Sequence, residues 1–581
     1  MAAIRWIYKP LPDPNTVENL SKAINVSQAL AKILVQRKVT TFDAAKSFFR
    51  PSLNELHDPF LMRDMDKAVE RLQNAINNNE KIMVYGDYDV DGTTSVALVY
   101  SFLKKRYKNL DYYIPDRYKE GYGISRASID YAKKHNFKLI IALDCGIKSV
   151  ELVDYANTLG VDFIICDHHR PGDVIPRAIA VLDPKREDCT YPFDELSGCG
   201  VGFKLMQGYA MREGILKDEV YELLDLVVVS IACDIVPIVG ENRVLSFYGL
   251  EKLNKNPRTG LKKLLEIGGF KLDKKLTIMN VVFGLGPRIN AAGRIDHAEE
   301  AVKLLISEND EDAERYSEIL QNFNVDRKDL DKSITLEALQ MIENSDKINP
   351  KSTVLFKDTW HKGVIGIVAS RCIESYHRPT IILTQTDQNA TGSARSVEGF
   401  DVYEAIEECK ELLEQFGGHT HAAGLSLKLE NLEAFKQKFE EVVSRRIKPD
   451  QLIPQIEIDM KIRLKEATER FMKVLNQVSP FGPANMQPVF VSENVYDIGE
   501  AKVVGKDNPI HLKLKIRQED SATYDAIGFS MGHYLERIQA KEKFHICYNI
   551  EENHFLGKTT LQLRLKDLKF ANDGELWEQT S

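Results

Sequence analysis

Between residues 80 and 240, short and mostly apolar runs alternate with segments of helical spacing. The runs are Lys81–Tyr85 (KIMVY), Leu139–Leu143 (LIIAL), Phe163–Cys166 (FIIC) and Ala178–Leu182 (AIAVL). Short runs without polar alternation are buried on both faces, which is the pattern of parallel strands covered by helices. The residues directly after the first three runs set this block apart. KIMVY is followed by GDYDVDG, LIIAL by Asp144, and FIIC by Asp167-His168-His169. Functional groups of open α/β sheets lie beyond the carboxyl ends of the strands. The pattern therefore predicts a sheet whose strand ends carry carboxylates and imidazoles.

Elsewhere the periodicity changes. Residues 1–75 read as mostly helical: Ala31–Leu53 has apolar residues at helical spacing, with Thr40 or Thr41 as an N-cap, and ends near Arg50-Pro51. Residues 301–349 are highly charged, with Ile319, Phe323, Leu330 and Ile334 at helical spacing, and read as long helices connecting two domains. A second α/β block spans 350–450, with strands expected at Thr353–Phe356 and Pro379–Leu383. From 455 to 570, His511–Ile516 (HLKLKI) and Thr560–Leu565 (TLQLRL) alternate strictly and Phe544–Ile550 is β-rich. Half-buried antiparallel strands of a small β-barrel have this signature. The tail, 571–581, is polar and reads as disordered.

Composition narrows the class. A chain of 581 residues corresponds to about three to five domains. It is 43% hydrophobic and 28% charged, as in an ordinary globular protein, with 77 Lys+Arg against 86 Asp+Glu and a net charge of −9. That balance argues against a chain coated with nucleic acid but leaves room for a local basic channel. The cysteines form no C-x-x-C pair, which argues against structural zinc and for a reducing compartment. The N-terminus has no apolar leader, and no apolar run approaches the roughly 18 residues of a membrane span. A cytoplasmic protein without a membrane partner is expected.

Three acids at alternate positions, Asp87, Asp89 and Asp91, repel one another unless a cation offsets them; the plain alternative is a solvated acidic turn. His168 and His169 after a buried strand are ambiguous alone, as are Asp144 and Asp234, the last being a ligand or a helix cap. Taken together, these groups end successive strands and can converge. Mixed Asp/His ligands suit Mn²⁺ or Mg²⁺. Two such ions about 3.5–4 Å apart activate a water and stabilise the leaving oxygen of a phosphate ester.

In chain order, DYDVDG, Asp144 in LDCG, DHH, and Asp234 in ACDIVP resemble the DHH phosphoesterase superfamily. GPRINAAGRIDHA (Gly286–Ala298), GSARS (Gly392–Ser396) and GGHTHAAG (Gly417–Gly424) are similar to the RecJ exonucleases, as are QRKVTTFDAAKSFFRP and DPFLMRDMDKAVERL near the N-terminus. The likeness extends over residues 5 to 565. It implies an α/β protein with two domains, DHH (76–300) and DHHA1 (350–450), joined by long helices around a cleft, plus a C-terminal OB-like barrel (455–570).

The resemblance also implies roles. Asp89 and Asp144 hold one ion; Asp91, Asp144, His168 and Asp234 hold the other, with Asp144 bridging. His169 contacts the scissile phosphate, and Asp87 is a ligand or the partner of one. Where DHH pyrophosphatases have a His four residues before the position of Asp89, this chain has Tyr85, which argues against pyrophosphatase activity. Phosphate or DNA contacts fall to Arg117, Arg288, Asn290, Arg294, Ser393, Arg395, Ser396 and His419. The implied function is a two-metal exonuclease, degrading single-stranded DNA 5′→3′ to 5′-mononucleotides in repair and recombination. Its implied partners are single-stranded DNA with a 5′ end, a single-strand-binding protein and a RecQ-type helicase. The alternatives are a DHH enzyme acting on short RNA or cyclic dinucleotides, and a catalytically dead DNA-binding scaffold.

Overall fold

The apolar runs of the first block pair as parallel strands because nearly all the residues they present, on either face, are covered. In the computed structural model, Lys81–Gly86, Phe137–Leu143 and Asp162–Cys166 are almost wholly buried. The structure describes residues 4–271, 274–345, 349–505, 509–519, 521–555, 558–571 and 577–578. The five-stranded sheet runs Leu110–Tyr113, Lys81–Gly86, Phe137–Leu143, Asp162–Cys166, Ala180–Leu182, all parallel. In chain order the spatial sequence is second, first, third, fourth, fifth. The winding direction therefore reverses between Lys81–Gly86 and Phe137–Leu143. Beyond the carboxyl ends of those two strands lies the crevice where open sheets bind ligands. The acidic loop follows the first of them and Asp144 follows the second.

Two buried helices pack against the helix that carries Asp91, Val90–Lys104: Gly198–Glu213 and the mostly apolar Leu224–Cys233. A buried ion pair ties the segment before the sheet to this core. Lys204 Nζ lies 2.7 Å from Glu241 Oε1. Glu241 also accepts the His57 N–H at 2.8 Å and the Tyr191 hydroxyl at 2.6 Å.

By its internal contacts the chain divides into two units. One comprises Pro51–Lys332 and Pro480–Asn485; the other comprises Met1–Arg50, Ser333–Ser479 and Met486–Ser581. The charged stretch after residue 300 forms Glu299–Leu305 and a single 34-residue helix, Asp310–Glu343, within which the division falls.

The second unit holds a mixed sheet in the order Gln415–His419, Ala422–Lys428, Asn389–Arg395, Thr380–Thr386, Thr353–Phe356. Only the last pair is parallel. Its C-terminal strands close on themselves. Phe490–Asp497 pairs with Phe544–Phe555, which pairs with Lys558–Phe570; that strand pairs with Tyr524–Gly528, then His511–Arg517, which returns to Phe490–Asp497. A ring of five pairings is a closed barrel of the OB type.

The N-terminal region is helical at Pro14–Ile24, Gln28–Gln36, Phe42–Phe49 and Met65–Asn77. The helical pattern expected over Ala31–Leu53 is broken at Lys38, which has φ 62°, and resumes at the Thr41 N-cap. Arg5–Tyr8, within a region expected to be helical, is a strand that pairs with Gln455–Ile458 and with Trp577–Glu578. Its Trp6 is buried and donates Nε1–H to Asp567 at 2.7 Å. Apart from Ala571 and that two-residue strand, the polar tail lies outside the described residues. No described helix is long and apolar enough to cross a membrane.

Candidate metal centre and phosphate-binding residues

The Lys81–Gly86 strand turns directly into the Val90–Lys104 helix, so its three aspartates gather at one helix N-terminus. Asp89 is the N-cap and accepts the Gly92 N–H at 3.0 Å. A Cβ on Gly92 would meet the Asp87 carbonyl oxygen at 2.3 Å, so this turn has room only for glycine. Asp91 is buried and points at a second helix N-terminus. It accepts the N–H groups of Gly198 and Cys199 at 2.7 and 2.8 Å and the Ser230 hydroxyl at 2.7 Å. Helix N-termini favour negative charge, so this carboxylate is both fixed and stabilised.

His168 is the meeting point. Its Nε2 lies 3.2 Å from Asp144 Oδ1, 3.5 Å from Asp234 Oδ2 and 3.7 Å from Asp91 Oδ2. Asp234 answers both sequence readings: it is the C-cap of Leu224–Cys233, and its side chain faces the cluster. His169 is turned differently. Its Nδ1 is 2.7 Å from Asp167 Oδ1 and its Nε2 is 3.2 Å from the Tyr122 hydroxyl. Asp167 also accepts the N–H groups of Ile147, His168 and His169. Burial opposes charge on both members of this pair, but their hydrogen bond prevails, holding Asp167 at about 2 and His169 at about 9.

The remaining carboxylates carry the opposite signature. Burial, then mutual repulsion, raises Asp87, Asp89 and Asp144 above the usual carboxylate range and pushes Asp234 up to about 8. Buried acids this close ionise together only beside compensating positive charge. Both ring nitrogens of His168 and Oδ2 of Asp87 are buried without a hydrogen-bond partner. Buried polar atoms of this kind call for a ligand. Two groups, Asp144–His168–His169 and Asp91–His168–Asp234, each bring one donor atom per residue within 4.8 Å of the others. Asp89 stands beside them, close enough for its charge to raise Asp144 and Asp234. Oxygen and imidazole donors without thiolate fit Mn²⁺ or Mg²⁺.

The phosphate-binding candidates divide between the two units. In the unit of the metal residues, the Arg117 guanidinium lies over the Tyr88 ring at 4.9 Å. Asn290 and Arg294 are half-buried on the helix Gly286–Ile295, whose Arg294 carbonyl accepts the Tyr118 hydroxyl. Arg288 is buried, donating to the Gly284 carbonyl at 2.5 Å and to Gln321 at 2.8 Å, so its visible contacts brace the fold. In the other unit, Arg395 Nη1 donates to Ser393 Oγ at 2.8 Å, and Ser396 donates to the Phe400 carbonyl at 2.6 Å. Exposed His419 lies on the strand that pairs with Ala422–Lys428, and Ala422 is in register with Arg395. The paired Gly417 and Gly424 have nothing within 4 Å of where a Cβ would stand, leaving a bare strip of backbone.

Several participants carry no mark in the sequence. Tyr122, Gly198, Cys199 and Ser230 act through hydrogen bonds that no motif announces. Asp167 is visible in DHH, but its hold on His169 is not. Asp183 follows the Ala180–Leu182 strand, completely buried, with Oδ2 lacking a hydrogen-bond partner, and burial pushes it up to about 7. The signal available for it is positional, since it ends an apolar run as Asp144 and Asp167 do.

Family models match three segments: the DHH family N-terminal domain at residues 81–231, the DHHA1 domain at 349–445 and the RecJ OB domain at 458–567. The single-stranded-DNA-specific exonuclease RecJ of Bacillus subtilis is 37% identical over 566 residues, 97% of this chain and 70% of that protein. Its counterpart from Escherichia coli is 33% identical over 524 residues, 87% of this chain and 90% of that protein. The crystal structure of RecJ from Thermus thermophilus in complex with Mn²⁺ matches with a TM-score of 0.83 at 25% identity, covering 97% of this chain and 79% of that one.

Proposed function

Because the chain belongs to the RecJ family of single-stranded-DNA-specific exonucleases and is a metal-dependent exodeoxyribonuclease, we propose that it shortens single-stranded DNA from the 5′ end and releases 5′-mononucleotides. Two divalent ions would be held by Asp89, Asp91, Asp144, His168 and Asp234, with Asp144 between them and Asp87 beside them. The observation that carries the reading is the convergence of Asp144, Asp234 and Asp91 on His168 Nε2, at 3.2, 3.5 and 3.7 Å. Bound among these groups, such ions would supply a lowered water pKa and an offset to the charge on the leaving oxygen.

The protein's own groups do the rest. Asp167 accepts Nδ1–H of His169, fixing the ring's orientation and leaving Nε2 toward the Tyr122 hydroxyl. Held on Asp167, His169 binds a non-bridging oxygen of the scissile phosphate through Nε2. Asp91, anchored by Gly198, Cys199 and Ser230, keeps its position while charge shifts around it. Ser393 and Arg395, with Ser396, His419, Arg117, Asn290 and Arg294, are the phosphate and DNA contacts; Arg288 braces their helix. The family resemblance supports action in the cytoplasm during repair and recombination, alongside a single-strand-binding protein and a RecQ-type helicase.

Direction requires an anchor besides the ions, because every phosphodiester offers them the same oxygens. A 5′-phosphate bound by the Arg395 fork, worth roughly 1.5–3 kcal/mol as a charge-assisted contact, supplies one. The test compares 5′-phosphorylated with 5′-hydroxyl strands at fixed salt. Wild type should prefer the phosphorylated strand by about ten- to a hundredfold, and Arg395→Ala should shrink that preference by slowing the phosphorylated substrate. A variant that keeps the full preference would rule Arg395 out as the anchor, and release of nucleotides from the 3′ end would overturn the polarity.

A further inference from the structure

The turn that follows Asp234 is strained. Ile235 has φ 63°, and among the described residues it is the only β-branched one in the left-handed region. There a side chain branched at Cβ crowds the backbone, and glycine or asparagine is the usual occupant, above all directly after a helix. Ile235 stands at such a place, since Asp234 caps the end of Leu224–Cys233. Asp144, with φ 59°, shares the conformation but has the short polar side chain that tolerates it.

Packing of the side chain does not offset this strain. Ile235 is 68% exposed, while Val236 and Ile238 beside it are buried. The turn is held by its flanks instead: the Asp234 N–H donates to the Ser230 carbonyl at 2.9 Å, and the Ile238 N–H donates to the Pro483 carbonyl at 2.8 Å. For the turn alone, glycine would serve without strain. Isoleucine adds strain and leaves apolar surface in water, so the use of its side chain lies in a contact outside the chain. Backbone outliers of this kind cluster where ligands are bound. Asp234 Oδ2 is 3.5 Å from His168 Nε2, and the Cα of Ile235 is one peptide, about 3.8 Å, from that of Asp234. A phosphodiester bound at these groups carries a sugar and a base on either side of its phosphorus, and these are the apolar parts of a strand.

Resting on the reading of the chain as a single-strand exonuclease, we infer that Ile235 is a substrate-contacting residue, whose side chain packs on the sugar and base of a nucleotide joined at the scissile phosphate. It takes no part in holding the ions. Its contact is the same before and during cleavage, so it acts on the binding of the strand and not on the chemical step.

The test uses the full chain, a short 5′-phosphorylated single-stranded oligodeoxynucleotide and Mn²⁺. Ile235→Asn accepts the left-handed turn and removes the apolar surface. Its melting temperature in EDTA should match that of wild type or exceed it by up to about 2–4 °C, as strain is relieved. Its KM should rise roughly tenfold, the scale of one partly buried aliphatic side chain, with kcat and Mn²⁺ affinity unchanged. Ile235→Val loses one methylene and should raise KM by no more than about fourfold. An Asn variant with the KM of wild type would overturn the contact. So would an Asn variant that melts lower and binds Mn²⁺ more weakly, because Ile235 would then shape the metal site and not meet the substrate. A wild-type protein that does not degrade single strands would overturn the exonuclease reading itself, and this inference with it.

Discussion

The carboxylate of Asp91 is anchored by the backbone of Gly198, whose N–H donates to Oδ2 at 2.7 Å. The same glycine lies against Asp144: a Cβ at position 198 would stand 2.7 Å from Asp144 Cβ and 2.8 Å from its Oδ1. One backbone position therefore sets the spacing of two acids that follow different strands. Gly198→Ala should fold, yet displace both. Groups that orient metal ligands typically contribute about 10–100-fold to metal affinity or activity, and a loss of that size in Mn²⁺ affinity is expected, measured by titration calorimetry. Unaltered Mn²⁺ binding by this variant would show that the spacing is not critical.

The Asp167–His169 pair makes stability depend on pH in a defined window. Asp167, lowered from 3.8 to about 2, contributes stability that is complete above 3.8 and is lost as pH falls through 2. His169, raised from 6.5 to about 9, contributes stability that is complete below 6.5 and is lost as pH rises through 9. In metal-free protein the melting-temperature gap between wild type and Asp167→Asn should be widest between pH 3.8 and 6.5 and narrow on either side. A gap that widens above pH 9 would contradict the pairing.

Lys204 and Glu241 form a buried pair at 2.7 Å. Lys204→Met leaves Glu241 charged and without its counter-ion inside the protein, which costs about 3–5 kcal/mol. Adding Glu241→Gln should recover most of that loss, because the orphaned charge is then gone. Denaturant titration of the single and double variants checks this; a double variant no more stable than the single one would mean that packing, rather than charge, is what Lys204 supplies.

Features that depend on runs and spacing are legible in the sequence. The apolar runs mark four of the five parallel strands, and their ends mark the acids and imidazoles, because burial on both faces leaves a continuous pattern. The edge strand Leu110–Tyr113 leaves no such pattern because it is only partly covered and includes an exposed Asp111. Asn389–Arg395 and Ala422–Lys428 are equally hidden, because small and polar residues there replace the apolar signal, and pairing alone makes them strands. Arg288 illustrates the limit of a motif. GPRINAAGR offers three candidate contacts, but only folding shows that this guanidinium faces Gly284 and Gln321. Tyr122 lies in a loop far from His169 in sequence and becomes its partner through chain reversal, which no local pattern encodes.

The proposed metal centre is the set of carboxylates converging on His168, which would hold the ions that make this chain a nuclease. It is tested most directly by the rate of nucleotide release from a labelled single strand by Asp144→Ala at saturating Mn²⁺, with circular dichroism to confirm the fold. Loss of several kcal/mol of metal-centred stabilisation corresponds to a fall of roughly a thousandfold or more, and wild type should lose its activity in EDTA and regain it with Mn²⁺. Turnover by the folded variant close to that of wild type, or cleavage that persists in EDTA, would contradict the account.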